Sequence, residues 1–548
     1  MTAGVVFVNG LIRTMGASDQ IHSAVAVAAG RIVQVGSDEE VRGAAVDGVH
    51  VVDLRGQAMI PGLIDGHNHF SRAAFEPAQV DCSTPPITSL GEVLRRITEH
   101  AASDVPGRWI RGWGFHWSRV RERRNPTRAE LDGACPENPF VLMDASYHGC
   151  FANSRALEAA GIDRHSPPGR SGILVLDEAG EPTGALFEST IDLPESLSWQ
   201  SYLDRSPGDA LAMIERHAHR LLAHGITGVS DALVLPSAAA LYRVAADAGR
   251  LPLTVHQMYG GRRFFESPRI ASLGDERLAA GPSDHLRGGT LKIFMDAVHP
   301  SPAIDRPAGD IADAHTGVNF YSRGEALELV TEATAAGLQV AIHALGNCAV
   351  EQSLETYAAV RRTSAGRDAS LRIEHFVLAN EAQCREAAEL GVTIVTNPGF
   401  VHRWGDQYLE RWRWDGRPDL KVLPLRTLLD AGVTVAAASD HPCDDLDPFH
   451  GMWAAVERRS WTGDSLFPEE AVTRSEALRM YTASAAAACG QASDAGSIEV
   501  GKRANLVVLD RDPITCATGD LPDTAALQTY IDGVLAFQRA ESGLRPST

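Results

Sequence analysis

Six residues spread along the 548-residue chain have the types needed to hold metal ions: His67, His69, Lys292, His343, His375 and Asp440. His67 and His69 end the apolar, strand-type stretch MIPGLIDGHNHF (59–70). Alternate side chains of a strand point the same way, so these two imidazoles share a face and can grip one ion. Lys292 lies inside LKIFMDA, between Leu291 and Ile293. A naked ammonium buried there is costly and must be paired, neutralised or chemically altered. His343 follows QVAI, His375 follows RIE and Asp440 follows VAAAS, each at the end of an apolar run.

Any one of these residues alone would more often be a satisfied polar group of a core or loop. Together they can hold two divalent ions, with His67, His69 and Asp440 on one and His343 and His375 on the other. Two close cations need an anionic bridge, and a Lys292 carboxylated by carbon dioxide would supply it. Left cationic, the lysine would be repelled by several kcal/mol at an effective dielectric of about 20. The remaining bridging position suits water, which two ions would acidify while polarising a substrate carbonyl. Asp440 is placed to take the water proton and pass it to a leaving group.

Such a ring forms only if strand ends converge. From the first histidine pair onward, eight apolar runs read as strands: 59–67, 225–234, 253–259, 291–297, 338–346, 370–378, 392–399 and 433–442. Helical stretches such as 322–337 and 423–432 lie between them and end in Gly337 and Gly432, residues suited to closing a helix. This alternation predicts an α/β chain folded as a (β/α)8 TIM barrel, with chemistry at the C-terminal strand ends. The gap between the first two runs far exceeds one crossover helix, so a lobe is expected at about 71–205. It carries the Trp- and Arg-rich RWIRGWGFHWSRVRE and a hairpin around Glu178-Ala179-Gly180. Residues 1–57 and 496–548 are β-type, with a hairpin signal at Asn9-Gly10 and turn signals at Gly30 and Asp532-Gly533, and are expected to build one small β-sandwich. The barrel domain is then 58–442, followed by its last helices at 443–495.

Composition narrows the partners. With 50 Lys+Arg against 70 Asp+Glu the net charge is −20, and no basic run stands out, which argues against nucleic acid and anionic membranes. The eight cysteines form no C-x-x-C pair and read as thiols of a reducing compartment. The N-terminal segment lacks a secretory pattern, and no stretch reaches about 18 uninterrupted apolar residues. A soluble, cytoplasmic protein acting on a small molecule is expected.

The order His-x-His, Lys, His, His, Asp resembles the amidohydrolase superfamily. PGLIDGHNHF, GWGFHWSRVRERRNPTRAELD, LKIFMDA, RIEHF and SDHPCDDLDPFHGMWAAVERR are similar to the branch of N-substituted formamide deformylases, and the likeness runs nearly the whole chain. The resemblance implies metal roles for His67, His69, Lys292, His343, His375 and Asp440, and substrate-facing roles for Trp113 and His148. It implies two divalent ions, zinc with manganese or iron as alternatives, N6-carboxylated Lys292, and hydrolysis of an N-acyl or N-formyl amide. Dimers are common for enzymes of this type. Three departures stand out: Asn347-Cys348 after Gly346 where Asp-Arg is usual, Ala504-Asn505-Leu506 where Asp is common, and Asp296-Ala297-Val298-His299-Pro300 in place of a Gly-rich turn. The same centre would also serve an ester, lactone or carbamate hydrolase. A one-metal deaminase would leave Lys292 without a purpose, and a silent binding protein would not need all six donors.

Overall fold

The computed structural model describes residues 4–540 apart from 19, 44–48, 170–171, 206, 262, 264, 267–284, 299–301, 305–316, 318 and 412–417. Its centre is an eight-stranded parallel sheet whose strands follow the chain in order: Leu63–Asn68, Ile226–Val234, Thr254–Tyr259, Leu286–Phe294, Gln339–Ala344, Leu371–His375, Thr393–Thr396 and Val435–Ala437. All eight expected strand runs contribute. They are buried on both faces, as parallel strands covered by helices must be. The sheet curls into a TIM barrel. First and eighth strands meet without a regular ladder, held instead by Asp440 N–H to His67 O (2.8 Å) and His69 N–H to His441 O (2.9 Å). Gly66 permits this approach, since a Cβ there would lie 3.0 Å from the Ala437 carbonyl.

The apolar run at 59–67 is not one strand. Ala58–Pro61 leaves the barrel and pairs antiparallel with Leu506–Leu509, whereas Leu63–Asn68 enters it. The start of the barrel therefore shifts from 58 to 63. Gly62 makes the switch possible, because a side chain there would meet Thr227 Oγ1 at 2.2 Å. The two faces of Leu506–Leu509 serve different cores. Val507 and Leu509 pack into the barrel cluster, while Leu506 and Val508 pack with Phe7, Val25 and Tyr530.

The chain ends form two sheets around that second core. One orders Arg31–Gly36, Ala24–Ala28, Val5–Val8 and His50–Asp53; the other orders Val534–Gln538, Ala526–Ile531, Leu506–Leu509, Ala58–Pro61, Leu11–Arg13 and Ile21–His22. Asp532-Gly533 (φ 50° and 74°) turns a true hairpin. Asn9-Gly10 does not. Val5–Val8 and Leu11–Arg13 lie in different sheets, and left-handed Asn9 (φ 54°) makes the corner, its amide held by Asp38 and its side chain by Asp53. The dipeptide supplied the right backbone, but the neighbours chose the pairing.

Between the first two barrel strands lies a six-stranded mixed sheet, ordered Ile173–Leu176, Pro182–Phe187, Gly149–Ala152, Phe140–Asp144, Ile110–Phe115 and Val80–Asp81. Its outer face packs on helices Leu90–Ala101 and Arg128–Ala134 through Val93, Ile97, Leu131 and Phe140. Among the described residues, no helix is long and apolar enough to cross a membrane.

Candidate metal centre

The six sequence-predicted donors all line one cavity at the C-terminal mouth of the barrel, partly open to solvent. The ring centroids of His67 and His375 are 4.7 Å apart, and those of His343 and His375 are 4.6 Å apart. Asp440 Oδ1 lies 3.2 Å from Nε2 of both His67 and His69. Ligand atoms of His67, His375 and Asp440 fall within 4.8 Å of one another, as do those of His69, Asp440 and Cys443. Two of the donors take a backbone conformation that side chains usually avoid, His375 at φ 73° and Asp440 at φ 58°. Such strain persists where surrounding structure over-determines it, often at functional sites.

The electrostatics suit a cation. Burial, then neighbouring His67, lowers the His375 pKa to about 3, and burial with His375 and Lys292 holds His343 well below its ordinary range. Both are neutral imidazoles, the form that ligates metal. Burial alone would raise the Asp440 pKa, but contacts with His67 and His69 outweigh it and keep the group a carboxylate. Burial brings the Lys292 pKa down to about 8, against the pull of Glu374 and Asp440. Its Nζ has no hydrogen-bond partner among the described residues and sits 5.1 Å from the Phe294 ring centroid. A buried carboxylate among neutral imidazoles is a donor set suited to divalent ions.

Residues behind the donors aim them. Glu374 Oε2 contacts Nδ1 of His67, leaving Nε2 to the cavity. Glu374 is itself clamped by Arg372 (Nε to Oε1 2.5 Å, Nη2 to Oε2 2.9 Å), and Arg372 Nη2 also donates to Gly66 O at 2.7 Å. Burial would lift the Glu374 pKa, yet the Arg372 guanidinium keeps it well below the carboxylate range. Asn397 Oδ1 meets His375 Nδ1 at 2.7 Å, which again frees Nε2. Such contacts fix the tautomer and orientation of a ligand histidine. Glu374 and Arg372 were missed, although two opposite charges two residues apart on a buried strand are a readable signal.

The opposite wall comes from the long segment after the first strand. His148 lies on it, its ring 5.4 Å from that of His343, and its Nδ1 is 2.8 Å from Glu188 Oε2. Burial would depress its pKa, but the Glu188 carboxylate outweighs this and raises it. Glu188 Oε1 accepts the Val298 N–H at 3.0 Å, tying this wall to the loop after the fourth strand. Glu188 is wholly buried with a left-handed backbone (φ 51°), and nothing in its sequence context announced it. Trp113 is not where the resemblance suggested. It lies outside the cavity lining, packed against the cluster of Val141, Met143 and Cys150, while His116 and Trp117 reach the cavity instead. Its strand alternates faces, and the cavity-facing residues come from the turn that follows.

Asn347 is buried at the start of helix Asn347–Arg361 and does not line the cavity. Asp296 accepts the N–H groups of Ala303, Leu345 and Gly346 and lies 3.7 Å from His343 Nε2. His299 and Pro300 fall outside the described residues, and Val298 and Pro302 border the cavity.

Known proteins share this chain and this architecture. An N-substituted formamide deformylase of Arthrobacter pascens is 46% identical over 539 residues, 98% of this chain and 99% of that protein. An uncharacterized metal-dependent hydrolase from Pyrococcus horikoshii OT3 has the same fold, with a TM-score of 0.74 at 23% identity over 94% of this chain and 99% of that one. Another, from Pyrococcus furiosus, gives 0.72 at 25% identity over 94% and 100%. Residues 50–537 match the model of the amidohydrolase family, and the chain belongs to that family.

Proposed function

We propose that this protein is a metal-dependent hydrolase of a carbon–nitrogen amide bond, of N-formyl or N-acyl type. Two divalent ions, zinc foremost, would be held by His67, His69, His343, His375, Asp440 and a carboxylated Lys292. The observation that carries this is the buried convergence of those donors, with Asp440 Oδ1 between His67 and His69 and Lys292 Nζ without a hydrogen-bond partner among the described residues. The deformylase likeness supports the bond type. We read the chain as a β-sandwich from both ends, a barrel, and an inserted lobe that forms the substrate wall. A reducing, cytoplasmic setting is part of the proposal, supported by cysteines that stay unpaired.

Bound at these residues, a divalent metal supplies Lewis acidity, which polarises a carbonyl and acidifies water. The side chains do the remaining work. Asp440 begins as a carboxylate, takes a proton on its oxygen and releases it to the departing nitrogen, which would otherwise leave as a costly anion. His148, held by Glu188, lines the cavity where it would contact the substrate carbonyl. Phe294, Phe400 and Trp404 line the same cavity and exclude water from the N-substituent.

Metal analysis joined to an activity screen tests this. Chelation should abolish turnover of N-substituted formamides, and zinc or manganese should restore it. Full turnover by metal-free protein would overturn the proposal, and turnover of aryl esters alone would reassign the bond.

A further inference from the structure

We propose that Cys443 is a thiolate ligand of this centre, giving it a soft face made with His69 and Asp440. The inference rests on the metal-dependent reading above and adds a donor to it. Sγ of Cys443, a nitrogen of His69 and an oxygen of Asp440 lie within 4.8 Å of one another, and all three residues are buried. The backbone builds the group. Cys443 N–H bonds back to Asp440 O at 2.7 Å, so the side chain three residues on returns to the carboxylate. Asp440 Oδ1, buried and 3.2 Å from His69 Nε2, faces the same space.

Cys443 also differs from its fellows. All eight cysteines are free thiols, and among the described residues this one lines the cavity. Its sulfur donates to Ser146 O at 3.4 Å, a weak bond that reaches across to the substrate wall. A buried thiol is ordinarily a small apolar filler. Here it stands against a carboxylate and an imidazole, partners that an apolar filler does not need. A divalent ion shared by the three would deprotonate it, the S–H proton leaving to solvent as the sulfur–metal bond forms, with no change of oxidation state. A thiolate favours zinc, cobalt or cadmium over manganese or magnesium, so the soft face also bears on metal choice.

The test uses the full-length protein with its metal exchanged for cobalt(II). Visible ligand-field bands report cobalt in the site, and a near-ultraviolet thiolate-to-cobalt charge-transfer band reports sulfur bonded to it. The native protein should show both. Cys443→Ser and Cys443→Ala should keep the visible bands and lose the near-ultraviolet one. Cobalt bound without that band, or a band undiminished in both variants, overturns the proposal. Should the variants fold poorly, X-ray absorption of the native cadmium-loaded protein decides: a sulfur scatterer at the metal supports the ligand, and nitrogen and oxygen alone refute it. Protein that takes up no cobalt at all refutes both this inference and the proposed function, whereas uptake without sulfur ligation refutes this inference alone.

Discussion

The two sides of the cavity are built differently. The metal side rides on barrel strands, and its donors are backed by groups that are themselves pinned: Glu374 by Arg372, His375 by Asn397. The opposite side hangs on the long segment after the first strand, where one buried carboxylate, Glu188, supports His148 and holds a loop of the barrel at once. A rigid strand framework can keep several donors convergent, because each strand end is fixed by its neighbours. A wall carried by a separate sheet can be re-aimed without disturbing them. The contrast predicts that substitutions on the strand side change metal content or chemistry, and that those on the wall change substrate handling alone.

The largest effect should come from removing donors. Asp440→Asn should keep most of its metal and lose about 10²–10⁴-fold in kcat, the range of a lost proton carrier. Lys292→Ala should lose activity together with at least one metal equivalent by elemental analysis. An Asp440→Asn protein that lost all its metal would show that the carboxylate acts chiefly as a ligand. One shell back, Glu374→Gln should weaken metal affinity about 10- to 100-fold in chelator competition. It should also lower Tm, since it leaves the Arg372 guanidinium buried without its counter-charge.

On the wall, Glu188→Ala should leave metal content untouched and lower kcat/KM by about 10- to 100-fold, the worth of a charged hydrogen bond of roughly 1.5–3 kcal/mol. Glu188→Gln, whose carbonyl can still accept one of the two bonds, should recover part of that loss. Metal loss in Glu188→Ala would erase the contrast between the two sides. A gentler probe is pH. Carbon dioxide adds to the neutral amine, and Lys292 has a pKa lowered to about 8. At a fixed concentration of dissolved carbon dioxide, metal uptake by the stripped protein should therefore rise about 10-fold per pH unit below that value and level off above it. A pH-independent uptake would argue against carbamate formation. Smallest of all, Trp113→Phe should leave metal and kcat/KM unchanged and cost no more than about 1.5 kcal/mol in denaturant unfolding, as a packing change outside the cavity.

The difference between the sides also explains what could be read from the sequence. His67, His69, Lys292, His343, His375 and Asp440 were legible because each sits in or at the end of a recognisable apolar run, and a parallel barrel collects such ends at one mouth. Glu188 was not, for its importance comes from a left-handed turn placing it under His148, 40 residues away in sequence. Trp113, taken from the family resemblance, lies outside the cavity lining, since a likeness of motifs does not say which face of the lobe meets the cavity. Asn9-Gly10 shows the same limit in the end sheets: local geometry was right and the partner strand was wrong. Cys443 carried no signal beyond its nearness to Asp440.

The antiparallel pairing of Ala58–Pro61 with Leu506–Leu509 has a consequence for biosynthesis. The first strand leaves the ribosome about 450 residues before its partner exists, a wait on the order of 20–90 seconds at about 5–20 residues per second. Throughout that interval one edge of the strand stays open, on the very segment that continues through Gly62 into the first histidine pair. Open edges template pairing with other chains. Translation halted after residue 440 would release a polypeptide carrying all six donors but no strand to cap that edge, metal-competent in composition yet poised to aggregate. The last hundred residues thus act as a late-arriving lock on the first sixty.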